Sequence, residues 1–345
     1  MILDGQDPAA IARAAAALAG GGLVAFPTET VYGLGARADD DAAVAAIFAA
    51  KGRPADHPLI VHVASRLHAA PFVADLPAVA QRLMAALWPG PLTLIVPRAP
   101  QAATAAAGGH ASIGLRCPAH PVAQALLAAA LARGVPGVAA PSANRFRRIS
   151  PTTAAHVAAE FGDALLVLDG GPCALGIESA IVDCTQAQPA LLRPGSLTRA
   201  QIAAAAGEPL FDRDAGSASA PGTLEAHYAP RAPLRLWSGE ALRAALQTLV
   251  PAAGGVAVYS RTALAAAPTP SRHNLQLRVM PDDAAAAGHE LFAVLRELDA
   301  LNLSQIWVEE PPDTPSWEGV RDRLRRAAAA RTEPARIENS ALEIE

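Results

Sequence analysis

The chain has 345 residues, 52% of them apolar but only 4% aromatic, and its net charge is −4. That length accommodates one large domain or two ordinary ones with real cores. Residues 1–210 carry 14 basic and 14 acidic groups and residues 211–345 carry 14 and 18, so neither half is the basic platform that nucleic-acid binding needs.

In chain order, residues 8–19 read as a helix stopped by Gly20-Gly21-Gly22, and residues 23–26 as a short buried strand. Residues 27–35 leave that strand as a polar, glycine-punctuated loop. Residues 41–50 read as a helix whose acidic first turn suits the macrodipole, with Lys51 at its end and Gly52 and Pro54 stopping it. A strand is expected at 59–63 and a helix at 77–88, the latter stopped by Pro89-Gly90-Pro91. Residues 92–96, 112–116 and 137–140 read as strands. Residues 151–161 read as a helix opening on proline, where a missing N–H costs little. Strands at 165–168, 179–183 and 190–193 and a helix at 198–206 complete this part. Strands and helices mix without strict alternation, which predicts a twisted mixed α/β sheet of about 200 residues.

Residues 209–233 are rich in Gly, Ser, Ala and Pro and have no apolar period. Structureless connections beyond ~12–15 residues are usually lids or linkers. This one contains His227-Tyr228-Ala229-Pro230, ring-bearing side chains that a plain spacer does not need. After it, strands at 234–237, 255–259 and 305–308 each precede a helix, at 240–249, 282–300 and 316–330. That βαβαβα order predicts a small doubly wound, Rossmann-like domain. No G-x-G-x-x-G follows a strand in it, so a dinucleotide there is unsupported. The expected division is a domain at 1–208, a linker or lid at 209–233 and a second domain at 234–345.

Cys117, Cys173 and Cys184 lack CxxC spacing and are odd in number, which fits buried thiols in a reducing cytosol better than disulfides or zinc. The N-terminus shows no basic segment followed by an apolar core, and the alanine-rich runs are broken by Gly, Arg or Pro. The expectation is a soluble, cytoplasmic protein with no membrane partner.

Lys51 is the one lysine among 28 basic side chains. Lysine presents a compact ammonium to phosphate oxygens where arginine presents a flat fork. Lys51-Gly52-Arg53-Pro54 therefore reads either as a polyanion site, with nucleotide phosphates the natural ligand, or as one surviving surface lysine. No Walker A sequence occurs, so side chains at loop ends must hold any phosphate. His57 and Pro58 precede the strand that carries His62. Period two puts Leu59 and Val61 on one face and Ile60 and His62 on the other, although a lone histidine is more often structural. Arg116 ends a strand, where it either clamps a carboxylate or makes a surface ion pair. Ser142 and Asn144 alternate onto one side of an extended segment. Gly176-Ile177-Glu178-Ser179 opens a strand and Arg193-Pro194-Gly195-Ser196 closes one; each signal is weak alone.

Taken in order, the segments PTETVYGLG, KGRP, HPLIVH, LRCP, PSAN, SPTT, GIES and LRPGS resemble the YrdC-like threonylcarbamoyl-AMP synthases over residues 8–207. APGTLEAHYAP at 220–230 and the trailing α/β domain resemble the long, two-domain form. The resemblance implies that L-threonine, bicarbonate (or CO2) and ATP yield threonylcarbamoyl-AMP, pyrophosphate and water. It further implies that the adenylate passes to a separate tRNA threonylcarbamoyl transferase system. Such chemistry needs positioning and charge stabilisation at the phosphates rather than a protein nucleophile. By resemblance, Lys51 and Arg53 take the triphosphate, with His57, Ser142, Asn144, Ser150 and Arg193 also on the nucleotide. Thr30, His62, Arg116 and Ser179 take threonine, Arg116 by its carboxylate, and Tyr228 closes over the nucleotide. Mg2+ is expected with ATP, held by phosphate oxygens and water and not by a dedicated carboxylate cage.

The chain departs from the family pattern at two places. Arg147 stands where relatives commonly read Gly, and its charge either reaches phosphate or crowds the loop. Ala180 stands where they commonly read Thr. If that hydroxyl meets substrate, one bond worth about 1 kcal/mol is lost. Two other functions compete. One is a double-stranded RNA-binding or ribosome-assembly module of the same fold, for which Arg145, Arg147 and Arg148 are the local argument. The other is carbamoyl transfer in hydrogenase maturation, against which the lack of paired CxxC motifs counts. The acidic excess of the second domain argues against direct tRNA docking there and favours a role in positioning the linker.

Overall fold

The computed structural model describes residues 1–248, 254–264 and 275–330. Leu249 of the expected 240–249 helix and residues 331–345 of the expected second domain lie outside them. The first part of the chain forms β1 (Ile2–Asp4), α1 (Pro8–Ala19), β2 (Val24–Phe26), β3 (Gly33–Arg37), α2 (Asp41–Lys51), β4 (Ile60–His62) and α3 (Ala78–Leu87). It continues through β5 (Leu92–Pro97), β6 (Ser112–Arg116), α4 (Pro121–Leu131), β7 (Val138–Ala139), α5 (Ala154–Phe161) and β8 (Leu166–Asp169). β9 (Ala180–Asp183), β10 (Ala190–Arg193), α6 (Arg199–Ala206) and β11 (Phe211–Asp212) end it. These strands make one sheet in the order β1-β8-β2-β3-β7-β4-β6-β5-β9-β10-β11. It is mixed as expected: β4 runs parallel to β6 and β5 to β9, whereas β3 and β4 both run antiparallel to β7.

Local chemistry explains most element ends. Asp40 accepts from the backbone of Ala42 and Ala43 to start α2, and Gly52 stops it in the left-handed region at φ 64°. The side chains of Thr198 and Gln201 form a capping box at the start of α6. Along β4, Leu59 and Val61 enter the main core with Ile47, Leu83, Leu94 and Leu115, while Ile60 and His62 face a cavity on the other side.

Four sequence expectations need correction. Residues 33–35, read within the loop at 27–35, belong to strand β3. Gly35 is needed there because a Cβ would meet Phe26 Cε1 and Val138 Cγ1, both at 2.8 Å. Residues 121–131, left unassigned, are helix α4 with Pro121 in its first turn and the His120 side chain as cap. Helix α5 starts at Ala154 and not at Pro151, since Thr153 caps it and the Pro151 carbonyl is taken by Tyr32 N at 2.9 Å. Finally, the stretch read as linker begins with β11, paired to β10.

The second sheet comprises β12 (Leu234–Trp237), β13 (Val256–Ser260), β14 (Leu275–Val279) and β15 (Gln305–Glu309), with α7 (Gly239–Thr248), α8 (Ala284–Ala300) and α9 (Glu318–Ala329). It is parallel throughout, in the order β12-β15-β13-β14. The βαβαβα expectation therefore lacked one strand, β14. One apolar cluster joins the two sheets. Val31, Ile149 and Ile177 from loops beside the first sheet and Tyr228 from the connection pack with Leu291, Phe292 and Leu295 of α8 and Leu324 of α9.

Candidate active site

A cavity lies between the first sheet and the connecting segment, and polar and charged side chains line much of it. Lys51, Arg53, His62, Arg116, Ser142, Asn144, Ser179 and Arg193 all line it. Tyr228 lines it from the connection. Three expected residues stand one contact behind the wall. The Thr30 hydroxyl accepts from Arg116 Nη1 at 2.9 Å, Ser150 donates to Glu178, and His57 packs edge-on to Phe146, ring centroids 5.4 Å apart.

Lys51 is not a surface lysine: it is 3% exposed. Its ammonium donates to the carbonyls of Ser142, at 2.6 Å, and Asn144, which locks the end of α2 to the Pro141–Asn144 loop. Burial, with Arg53 nearby, pushes the Lys51 pKa well below its ordinary value. An incoming phosphate would act in the opposite direction. Arg53 donates to Pro58 O at 2.9 Å and lies over the Phe146 ring, 5.7 Å from its centroid. Burial lowers its pKa to about 10.

Arg116 makes neither a surface ion pair nor an open clamp. It is buried, and Nη2 lies 2.7 Å from Glu29 Oε1 in a contact without hydrogen-bond alignment. Glu29 Oε2 accepts from Ala119 N at 3.0 Å. Burial and the adjacent Arg116 hold His62 down to about 3, so its imidazole is neutral. Arg193 grips the Ser179 carbonyl through Nε and Nη2, at 3.1 and 3.0 Å, and reaches Pro221 O of the connection at 3.2 Å.

Sequence reasoning did not assign Glu178, Phe146, His227 or Gly222 to the wall, nor Arg323 behind it. Glu178 accepts from Arg323 Nε at 2.9 Å. Burial acts to raise the Glu178 carboxyl, but Arg323 and Arg193 outweigh it and hold the group below its usual value. Adjacency to Ser179 was the available signal for Glu178; Arg323 carried none. At Arg147, φ is +63°, a region where glycine is at ease and an L-residue is strained. A glycine at this position would relieve that strain. Arg147 also lines the cavity, and its carbonyl accepts from Ala229 N at 2.8 Å. The Ala180 side chain, by contrast, lies in the main core, so a hydroxyl there would face apolar side chains and not the cavity.

Several polar atoms in this wall are buried and without a hydrogen-bond partner: Arg53 Nε, His62 Nδ1, Asn144 Oδ1, His227 Nδ1 and the Tyr228 hydroxyl. Gathered around one cavity, these atoms are available to a bound ligand or to water. Among the described residues no group of His, Cys, Asp or Glu is arranged to hold a metal ion, and all three cysteines are buried and free.

Fold and cavity together define a two-domain α/β protein with a cationic, covered site suited to a phosphorylated small molecule. The telomere recombination family model, which covers Sua5, YciO and YrdC proteins, matches residues 16–195. The model for the threonylcarbamoyl-AMP synthase C-terminal domain matches residues 197–329. The chain belongs to this family, in its two-domain form. It is 38% identical to the threonylcarbamoyl-AMP synthase of Bacillus subtilis, with 95% of each chain covered. It is 36% identical to that of Pyrococcus abyssi, covering 90% of this chain and 92% of the relative. The structure of P. abyssi Sua5 complexed with L-threonine superposes with a TM-score of 0.82 at 34% identity, over 93% of this chain and 94% of that one. A variant of the same protein with an adjacent His–Tyr pair changed to alanine gives 0.84 at 32% identity, over 96% and 97%.

Proposed function

We propose that this protein condenses L-threonine, bicarbonate or CO2 and ATP into threonylcarbamoyl-AMP, releasing pyrophosphate and water. The observation that carries the reading is the set of buried, unpartnered polar atoms around one cavity, in a chain similar over nearly its whole length to enzymes named for that product. The amine of threonine captures CO2, and a carbamate oxygen then attacks the α-phosphorus as pyrophosphate leaves.

In this reading Lys51 and Arg53 neutralise the triphosphate, and Ser142, Asn144, Ser150, Arg193 and His57 shape the nucleotide's place. Thr30, His62, Arg116 and Ser179 hold threonine. Its carboxylate meets the Arg116 guanidinium, whose Nη2 contact to Glu29 is out of hydrogen-bond line. Neutral His62 offers an acceptor or a donor without adding charge. Tyr228, with residues 209–233, covers the nucleotide and keeps water from the mixed anhydride. Residues 1–208 form the catalytic unit and residues 234–345 the unit that supports this cover. Mg2+ comes with ATP. The wall fits that arrangement, because its cationic side chains face the phosphate region and its carboxylate, Glu178, is committed to Arg323 and Ser150. The product passes to a tRNA-modifying transferase in the cytoplasm; no described helix is long and apolar enough to cross a membrane.

The RNA-binding alternative loses ground. Arg145 is spent on the Ala50 carbonyl and the Phe161 ring, and Arg148 on Asp299. The test mixes protein, ATP, Mg2+, bicarbonate and L-threonine and follows pyrophosphate and the adenylate by mass spectrometry, omitting one substrate at a time. Product that requires all three supports the reading; none, from folded protein that binds ATP, refutes it.

A further inference from the structure

Helix α9 buries Gly319, Val320, Arg323, Leu324 and Ala327, a spacing of three and four that defines one helical face. Arginine on such a face is out of place unless it is paired with a carboxylate and hydrogen-bonded. Gly319 brings the helix in: a Cβ there would lie 2.5 Å from the Gly195 carbonyl oxygen, so only glycine lets α9 rest on the Arg193–Ser196 turn. One helical turn later Arg323, 0% exposed, crosses into the first domain.

Four of its five N–H donors have partners. Nε reaches Glu178 Oε2 at 2.9 Å, Nη2 the Glu178 carbonyl at 3.1 Å, and Nη1 both the Pro194 carbonyl at 2.8 Å and Asp322 at 2.7 Å. The guanidinium also lies over the Tyr228 ring, 5.5 Å from its centroid. A turn further along, Arg326 donates to the Leu224 carbonyl, and its own carbonyl accepts from His227 N at 3.2 Å. Thus α9 grips the connection on the approach to Tyr228 and holds the carboxylate in the cavity wall.

We propose that Arg323 is a positioning residue of the active site, supplied by the second domain: it neutralises and orients Glu178 and seats Tyr228 so that the connection closes over bound nucleotide. The proposal rests on the reading above that the cavity takes ATP. Without Arg323, only Arg193 and Ser150 are left to offset the Glu178 carboxylate, and Tyr228 loses its cationic partner. Of the threonine set, Thr30, His62 and Arg116 make no contact with Arg323, and Ser179 meets it only through the preceding Glu178 carbonyl, so threonine binding is affected far less than ATP binding.

The test uses the full chain with Arg323→Met and Arg323→Lys, measuring ATP affinity by calorimetry, KM for each substrate and the unfolding midpoint. For Arg323→Met, ATP affinity is expected to fall about tenfold or more while KM for threonine stays within about twofold, the scale of one lost charged hydrogen bond. Arg323→Lys, which keeps a charge on Glu178, is expected to recover part of that loss. Unchanged ATP affinity, or an equal loss for both substrates, overturns the proposal. Should the Met variant not fold, the Lys variant carries the same comparison: weaker ATP binding with unchanged threonine KM supports it, and wild-type ATP binding overturns it. Because ATP affinity is read by calorimetry apart from product, wild-type protein that binds ATP without making the adenylate refutes the proposed reaction, and the ATP affinities of the variants still decide this proposal.

Discussion

Gly222 lies where the connecting segment touches the site, and Gly222→Ala tests whether closure of that segment is needed. Its φ is +72°, and an added Cβ would sit 2.6 Å from Arg193 Nη1 and 2.8 Å from the Tyr228 hydroxyl. Both neighbours are ends of side chains, yet neither yields easily. Arg193 is held by two bonds to the Ser179 carbonyl, and Tyr228 is buried between His227 and Phe292. The left-handed conformation costs an alanine about 1 kcal/mol, and overpacking adds about 1–3 kcal/mol. An open connection escapes both, so the closed form is disfavoured by about 2–4 kcal/mol, or about 30- to 700-fold. Titration calorimetry with ATP and the mass-spectrometric product assay should show a loss on that scale, with the unfolding midpoint nearly unchanged. Gly171→Ala is the control, since its φ is +81° but nothing lies within 4 Å of the added Cβ. Equal ATP affinity in wild type, Gly222→Ala and Gly171→Ala would refute the idea that the connection closes on the nucleotide.

Lys51→Arg should lower pyrophosphate release despite the conserved charge. The larger fork must fit between two carbonyls in a site 3% exposed, at an overpacking cost of about 1–3 kcal/mol; a wild-type rate would mean that the ammonium is dispensable. Burial, joined for His62 by Arg116, holds His62 and His227 down to about 3, whereas in the unfolded chain each titrates near ~6.5. The unfolded state therefore binds more protons between these values. The stability is fully present above ~6.5 and declines as pH falls towards 3, by up to ~1.4 kcal/mol per pH unit for each histidine. Urea midpoints at pH 7 and 5 should show the decline, and His62→Asn should flatten it; an unchanged slope would count against a buried neutral imidazole. Deleting residues 209–345 should leave a folded first domain by circular dichroism but reduce product yield; full activity would refute the role of the connection and second domain.

Much of this was legible in the chain itself, because local physics writes local patterns. Period two at residues 59–62 announced which side of β4 meets the cavity, and the structure places Leu59 and Val61 in the core and Ile60 and His62 at the site. The Gly52 stop put Lys51 at a helix end, and the His227-Tyr228 pair marked the connection as more than spacer. What the sequence could not disclose depends on partners far apart in it. β3 looked like loop because its glycines serve the Phe26 and Val138 side chains of neighbouring strands. The Arg116 partner, Glu29, is 87 residues away (116 − 29), and Arg323 meets Glu178 across 145 residues. No spacing rule links such positions. Packing of α9 on the Arg193–Ser196 turn brings Arg323 to Glu178, and the first sheet brings Arg116 to Glu29, so the order of motifs was set by sequence while the charges that face one another were decided by the tertiary fold.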